Sequence, residues 1–330
     1  MLSVNNTTLV EDENSAFPTY ETPLSRTIKF HCLLVFQILS ILCSAIIFIS
    51  FGRMRELRAK QHNHIVICLL VCNFLIISIE LPVTLIYIHF GQLIPSSDKL
   101  CLYWIFTNYF LFTTSIWLTA VASIQRHILI FHAHLMNSHI KHYTPIILLP
   151  ISLCIWYIVL IFFYSCEQHF DYTQPWCIGP CYTFQSVIST VDWIIGSFVP
   201  VILTVHTNIV LVVRVVYQKY RMHRGRTWRT TRKLAFQLFS ISFLFLSIYL
   251  PLIIISLIRL WFNPTFLMIF GILYISYAVY LVPLLIPFIC LISLPEIVLQ
   301  MKKFICFNNY VEPERPQNIP MTISSRRINQ

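Results

Sequence analysis

The sequence predicts an all-α protein: a seven-transmembrane helix bundle with an extracellular N-terminus and a short amphipathic eighth helix. Three observations lead there. Seven apolar stretches fill most of the 330 residues, 57% of the chain is hydrophobic against 11% charged, and Lys and Arg gather on alternate sides of the stretches. A bilayer's hydrocarbon core is roughly 30 Å thick and takes about 20 apolar residues of helix to cross. Within it the backbone has no water to bond, which rules out loops and open strands. The mean hydropathy of +0.72 is far above that of a water-soluble domain.

The first 25 residues are polar and acidic, without an apolar run. No cleavable signal is expected there, so the first span must insert by itself. The spans are expected near 28–52, 64–90, 100–131, 144–164, 184–217, 234–260 and 266–293. Leu294-Pro295-Glu296 then opens a short helix, with Pro and Glu suited to its first turn. Ile297, Met301, Phe304 and Ile305 share one face of it beside Lys302 and Lys303, a pattern for lying on an anionic leaflet. The organisation is a tail over 1–26, a membrane domain over 27–305 and a cytoplasmic tail over 306–330.

Charge sets the orientation. Of the 23 Lys and Arg, only Arg26, Lys29, Lys99 and Arg259 lie on the side of the N-terminus. The opposite side holds Arg53, Arg55, Arg58 and Lys60 in its first loop, and Lys219 through Lys233 in its third. Positive loops stay in the cytoplasm, so the N-terminus is expected outside and the chain to be multi-pass, with the plasma membrane its expected location. The net charge of +10 is thereby a topology signal and not a nucleic-acid footprint. Asn5 and Asn6 begin overlapping glycosylation sequons in the external tail. Cys306, just past the last span, sits where a palmitoylated cysteine would. Cys101, Cys166, Cys177 and Cys181 face the oxidising exterior, and four thiols allow three pairings.

The third span carries a pattern. Cys101, Asn108, Phe112, Ser115, Thr119, Ala122 and Arg126 follow one another at steps of 7, 4, 3, 4, 3 and 4, which place them on one helical face. Small and polar residues in lipid turn toward other helices, so this face should point into the bundle. Ionisable side chains inside a membrane are costly and mark function. Glu80, followed by Pro82, and Asp192 are two such acids in the outer halves of their spans.

Further markers follow in order. Gln125-Arg126-His127 closes the third span, with Arg126 25 residues after Cys101, and Trp156 lies in the fourth. Phe198-Val199-Pro200 lies in the fifth span, Phe245 and Ile248-Tyr249-Leu250-Pro251 in the sixth, and Ile286-Pro287-Phe288-Ile289-Cys290 in the seventh. One marker per helix, in this order over residues 25–305, resembles the rhodopsin-like G-protein-coupled receptors, as a divergent member. The resemblance implies a receptor that passes binding of an extracellular peptide or small molecule to a heterotrimeric G protein. It implies a ligand pocket near Glu80, Asn108, Phe112, Asp192, Tyr249, Tyr277 and Tyr280, where a cation would meet carboxylates and aromatic faces. Gln125, Arg126, His127, Phe245, Pro251 and Pro287 take the switch positions. The family joins the top of the third helix to the second extracellular loop. Because Cys181 directly precedes the fifth span, Cys101–Cys181 with Cys166–Cys177 is the expected pairing, and Cys101–Cys177 its competitor.

The departures are informative. Asn73 replaces the family's sodium-holding aspartate, so no strong sodium site is expected. Gln125 replaces the acid that pairs with the arginine, and Arg229, Arg232 and Lys233 stand where the sixth helix would offer another. Ion-pair restraint of Arg126 is therefore weakened, and high ligand-free signalling or a different latch follows. Asn108 stands at the amine-binding aspartate and Tyr280 at the retinal lysine, which set aside ordinary amine receptors and photopigments. The external acids lean toward a basic ligand.

Other classes fit less well. His132, His134, His139 and His142 cluster in the second inner loop without a nearby carboxylate, and no metal site is expected. Six glycines in all leave no phosphate-cradling loop, and no nucleophile–base pair stands out, so neither enzyme chemistry nor a cofactor is expected. A seven-helix transporter or channel is the alternative, but no internal repeat supports it.

Overall fold

The computed structural model describes residues 22–54, 61–131, 139–221, 225–262, 266–267 and 270–293. Asn5, Asn6, the expected eighth helix, Cys306 and the tail lie outside the described residues, as do the side chains of the four clustered histidines and of Arg229, Arg232 and Lys233. Among the described residues the regular structure is entirely helical. Six helices are long and apolar enough to cross a membrane, and a seventh is shorter.

The first helix, α1, is Pro23–Arg53, capped by Thr22 Oγ1, which accepts from the Ser25 amide. α2 runs through Gln61–Leu75, a π-helical turn Ile76–Glu80, and Leu81–Phe90. α3 is Asp98–Phe131. α4 is His139–Ile158 followed by a π turn Val159–Phe163. α5 comprises Ser186–Trp193, a π turn Ile194–Phe198, and Val199–Arg221. α6 is Gly225–Trp261. α7 begins with a π turn Gly271–Ile275, passes Ser276–Ala278, and resumes as Leu281–Ser293.

The seventh span is less regular than its hydropathy predicts. Around Tyr280 the backbone bonds shorten to the third residue back, Tyr280 N to Tyr277 O and Val282 N to Val279 O, so the helix tightens where Tyr280 turns inward. The helices close a ring. α1 packs on α2 and α7, α7 on α6, α6 on α5, while α3 occupies the middle against α2, α4 and α5.

Outward faces are apolar, as Ile49, Ile147, Phe163 and Ile292 show by their exposure. Polar side chains go inside, and α3 contributes more of them than any other helix. Thr107, Thr113, Thr114, Ser115, Thr119, Ser123, Gln125 and Arg126 are all buried. Of the face predicted from spacing, Cys101, Ser115, Thr119, Ala122 and Arg126 are buried and Asn108 and Phe112 half-buried, so that face turns into the bundle.

The four π turns explain how this interior is wired. A π turn leaves a helical carbonyl without its usual amide, and in lipid some other donor must reach it. In three of them it is a side chain: Gln37 Nε2 donates to Ile77 O at 2.6 Å, Gln168 Nε2 to Ile161 O at 3.2 Å and Trp117 Nε1 to Ile195 O at 3.1 Å. In the fourth, Gly271 O takes the Ser276 amide and, at 2.9 Å, the Ser276 hydroxyl as well. The first of these turns ends at Glu80, and in the turn of α5 Gly196 lets that helix close on α3 and α4. A Cβ at Gly196 would stand 3.2 Å from Tyr157 Oη.

Candidate ligand pocket and switch region

Glu80 ends the π turn of α2 and is fully buried. Its Oε1 accepts from Tyr280 Oη at 2.7 Å, Asn108 Nδ2 at 2.9 Å, Trp104 Nε1 at 3.1 Å and Thr84 Oγ1 at 3.1 Å. Its Oε2 has no hydrogen-bond partner. Tyr280 also meets Thr84 at 2.9 Å and receives the edge of Phe112, ring centroids 5.2 Å apart. The fold thus brings four predicted pocket residues together: Glu80, Asn108, Phe112 and Tyr280. Tyr277 joins them through Trp176, whose ring stacks on it at 6.1 Å. Lys29 Nζ lies 4.8 Å from the Tyr277 ring centroid on the same end of the bundle.

Asp192 belongs to a second network. Its Oδ1 accepts from Trp156 Nε1 at 2.9 Å and its Oδ2 from Tyr182 Oη at 3.0 Å, and Tyr157 Oη bonds Thr113 at 2.8 Å beside them. Both carboxylate oxygens are occupied by the protein's own donors. Burial, first of all, pushes the Tyr182 phenol above its usual range, with Tyr109 and Asp192 adding to it. Tyr249 stacks on Phe245 at 4.3 Å, and both are buried in the core.

The second extracellular loop roofs the pocket. Trp176, Cys177 and Ile178 take left-handed backbone angles, φ 50°, 51° and 72°, each costing a non-glycine residue about 1–2 kcal/mol. Two disulfides hold them there. Cys101 pairs with Cys177, Cα atoms 5.8 Å apart, and Cys166 with Cys181, 6.0 Å apart. This corrects the expected Cys101–Cys181 and Cys166–Cys177 pairing. The left-handed turn swings Cys177 onto the top of α3, while Gln168 Oε1 takes the Cys181 amide at 3.0 Å and keeps Cys181 beside Cys166. The loop is stitched down further by Leu93 N to Tyr172 O, Tyr87 Oη to Thr173 O and Tyr172 Oη to Asp98. That last bond, with the Asp98 charge, holds the Tyr172 phenol above its ordinary range.

At the other end, Arg126 is buried, its Nε has no hydrogen-bond partner, and no ion pair among the described residues reaches it. Gln125 is buried beside it and His127 half-buried. One turn deeper, Ser123 Oγ meets Ser242 Oγ of α6 at 3.5 Å. Asn73 donates to Leu69 O and accepts from Ser115 Oγ at 3.1 Å, a neutral pairing where the family keeps an acid. Pro251 and Pro287 lie within α6 and α7.

Sequence reasoning passes over Thr84, Trp104, Trp176 and Tyr182. Two of them carry a signal: Thr84 follows Glu80 by four residues and Trp104 follows Cys101 by three, one helical turn each. A loop tryptophan and tyrosine carry none.

Among the described residues, six long apolar helices and a shorter seventh, with polar residues turned inward, make the bundle of a multi-pass membrane protein. The family model described as 7 transmembrane receptor (rhodopsin family) matches residues 43–290, and the chain belongs to that family. Comparison with curated proteins finds no match.

Proposed function

We propose that the protein is a plasma-membrane receptor with its N-terminus outside, which binds a ligand among Glu80, Asn108, Phe112, Tyr277 and Tyr280 and activates a heterotrimeric G protein. The observation that carries this reading is the buried polar face of α3. It runs from Asn108 in the pocket through Ser115, Thr119 and Ser123 to Arg126 at the cytoplasmic end. A ligand acts by favouring the conformer in which that end opens. Asp192 frames the pocket by fixing α4 and the loop to α5, and Tyr249 with Phe245 forms the packing that changes below it. Asn5 and Asn6 carry glycans, and Cys306 carries a palmitoyl chain.

The test is ligand-free G-protein activation in transfected cells, comparing wild type, Arg126→Ala and empty vector at equal surface expression. Signal above vector that vanishes in Arg126→Ala is the expected result. Ion flux through the wild-type chain, with no nucleotide-sensitive signalling, would replace the receptor reading by that of a transporter or channel.

A further inference from the structure

The carboxyl group of Glu80 is half satisfied. Four donors crowd Oε1 and none reaches Oε2, although the side chain is wholly buried. A carboxylate offers acceptor positions on both oxygens, and leaving one bare in a low-dielectric interior is costly. A proton placed on Oε2 would sit on an oxygen that has no hydrogen-bond partner. As a carboxylate the group is completed by a partner that brings a donor, and best by one that also brings positive charge.

The surroundings fit such a partner. Trp104, Trp176, Tyr277, Tyr280 and Phe112 put aromatic rings around the carboxyl group, the walls a desolvated cation prefers. Trp176 Nε1 is buried without a hydrogen-bond partner, a second incomplete polar atom in the same cluster. Glu80, Trp104 and Tyr280 are sealed, but Asn108 and Phe112 are partly exposed, so the way in passes over α3. The sequence sets ordinary amines aside because Asn108 has no charge. The fold supplies that charge from α2 instead, 2.9 Å from the Asn108 amide. The donors on Oε1 are N–H and O–H groups that would repel a bare metal ion, and among the described residues no cluster is placed to hold one.

We propose that this pocket binds a small organic cation bearing N–H donors, an amine, with its ammonium group against Glu80 and Asn108 and the ring of Trp176 as its roof. The proposal rests on the receptor reading only for the site's access from outside, not for coupling to a G protein. Size follows from the roof: a loop fastened by two disulfides and by Tyr87 and Tyr172 covers the site, which favours a single small molecule over a folded peptide.

The test uses the full-length chain in intact cells with Phe112→Cys as a reporter thiol. Its rates with cationic aminoethyl methanethiosulfonate and with the neutral methyl reagent are compared, the chain without the added cysteine serving as blank. The cation-to-neutral ratio should be at least about tenfold higher with Glu80 than in Glu80→Gln, as expected of opposite charges a few ångströms apart in a partly dry site. Glu80→Asp should keep most of the preference, and phenethylamine should slow the reaction with Glu80 but not in Glu80→Gln. Trp176→Ala should raise both rates alike, since it removes the roof and not the charge. Equal ratios in Glu80 and Glu80→Gln would overturn the proposal and describe a pocket filled by water alone. A thiol that neither reagent reaches would overturn it as well. G-protein signalling is not read in this experiment, so a chain that fails to couple leaves its result intact.

Discussion

At the scale of single residues, two buried acids look alike in the sequence and differ in the fold. Both Glu80 and Asp192 stand out as costly charges within apolar spans, and that much is legible because a carboxylate in lipid needs a reason. Which of them is saturated is not legible, since it depends on Tyr182 and Trp156 arriving from a loop and another helix. The difference makes a prediction. In Asp192→Asn the amide oxygen can keep the Trp156 N–H, but the amide nitrogen then faces Tyr182 Oη and the tyrosine proton loses its acceptor. The loss should be about 1–3 kcal/mol, read as a lower unfolding temperature of the detergent-solubilised protein. Tyr182→Phe removes one donor and leaves Asp192 the other, so its effect should be smaller. A variant Asp192→Asn as stable as wild type would mean that water already serves this carboxylate.

At the scale of the element, hydropathy locates the helices but not their irregularities. The seven stretches are legible because crossing lipid demands length and apolarity together. The π turns are not, because one inserted residue leaves the composition of Ile76–Glu80 or Ile194–Phe198 unchanged. Each nonetheless rotates everything after it, and the turn in α2 is what aims Glu80 at α3. Its carbonyl at Ile77 depends on Gln37, a polar residue within the otherwise apolar α1. Replacing Gln37 by Leu keeps the volume and removes the donor. Side-chain hydrogen bonds in membranes average about 0.6 kcal/mol, with unsatisfied groups costing more, so a loss of roughly 1 kcal/mol is expected. Thermal unfolding checks it. Gln37→Leu should also weaken the charge preference at Phe112→Cys, because the turn it supports positions the carboxylate. The disulfides fail to be legible for a related reason: chain order suggests Cys181 for α3, and only the left-handed turn at Trp176–Ile178 delivers Cys177 instead.

At the scale of the whole molecule, the two ends of α3 meet opposite conditions. Outside, α3 is tied to the loop by Cys101–Cys177, and its Asn108 is bonded to α2. Inside, Arg126 is buried with no opposite charge paired to it among the described residues, and α3 touches α6 through a long Ser123–Ser242 contact. An isolated buried cation is expensive, and an opening that lets Arg126 reach water or a partner relieves that cost. The closed conformer should therefore be only weakly preferred, which predicts readily measured ligand-free signalling. Gln125→Glu tests the balance directly. A carboxylate next to Arg126 offers the missing counter-charge only while the arginine stays inside, so it stabilises the closed conformer. Each 1.4 kcal/mol of such preference lowers the open population about tenfold when that population is small. Gln125→Glu should then cut basal G-protein activation several-fold at equal surface expression, while the cation-to-neutral ratio at Phe112→Cys stays where it was. Unchanged basal signalling in Gln125→Glu would mean that the contact through Ser123 and Ser242, not charge, holds the cytoplasmic end shut.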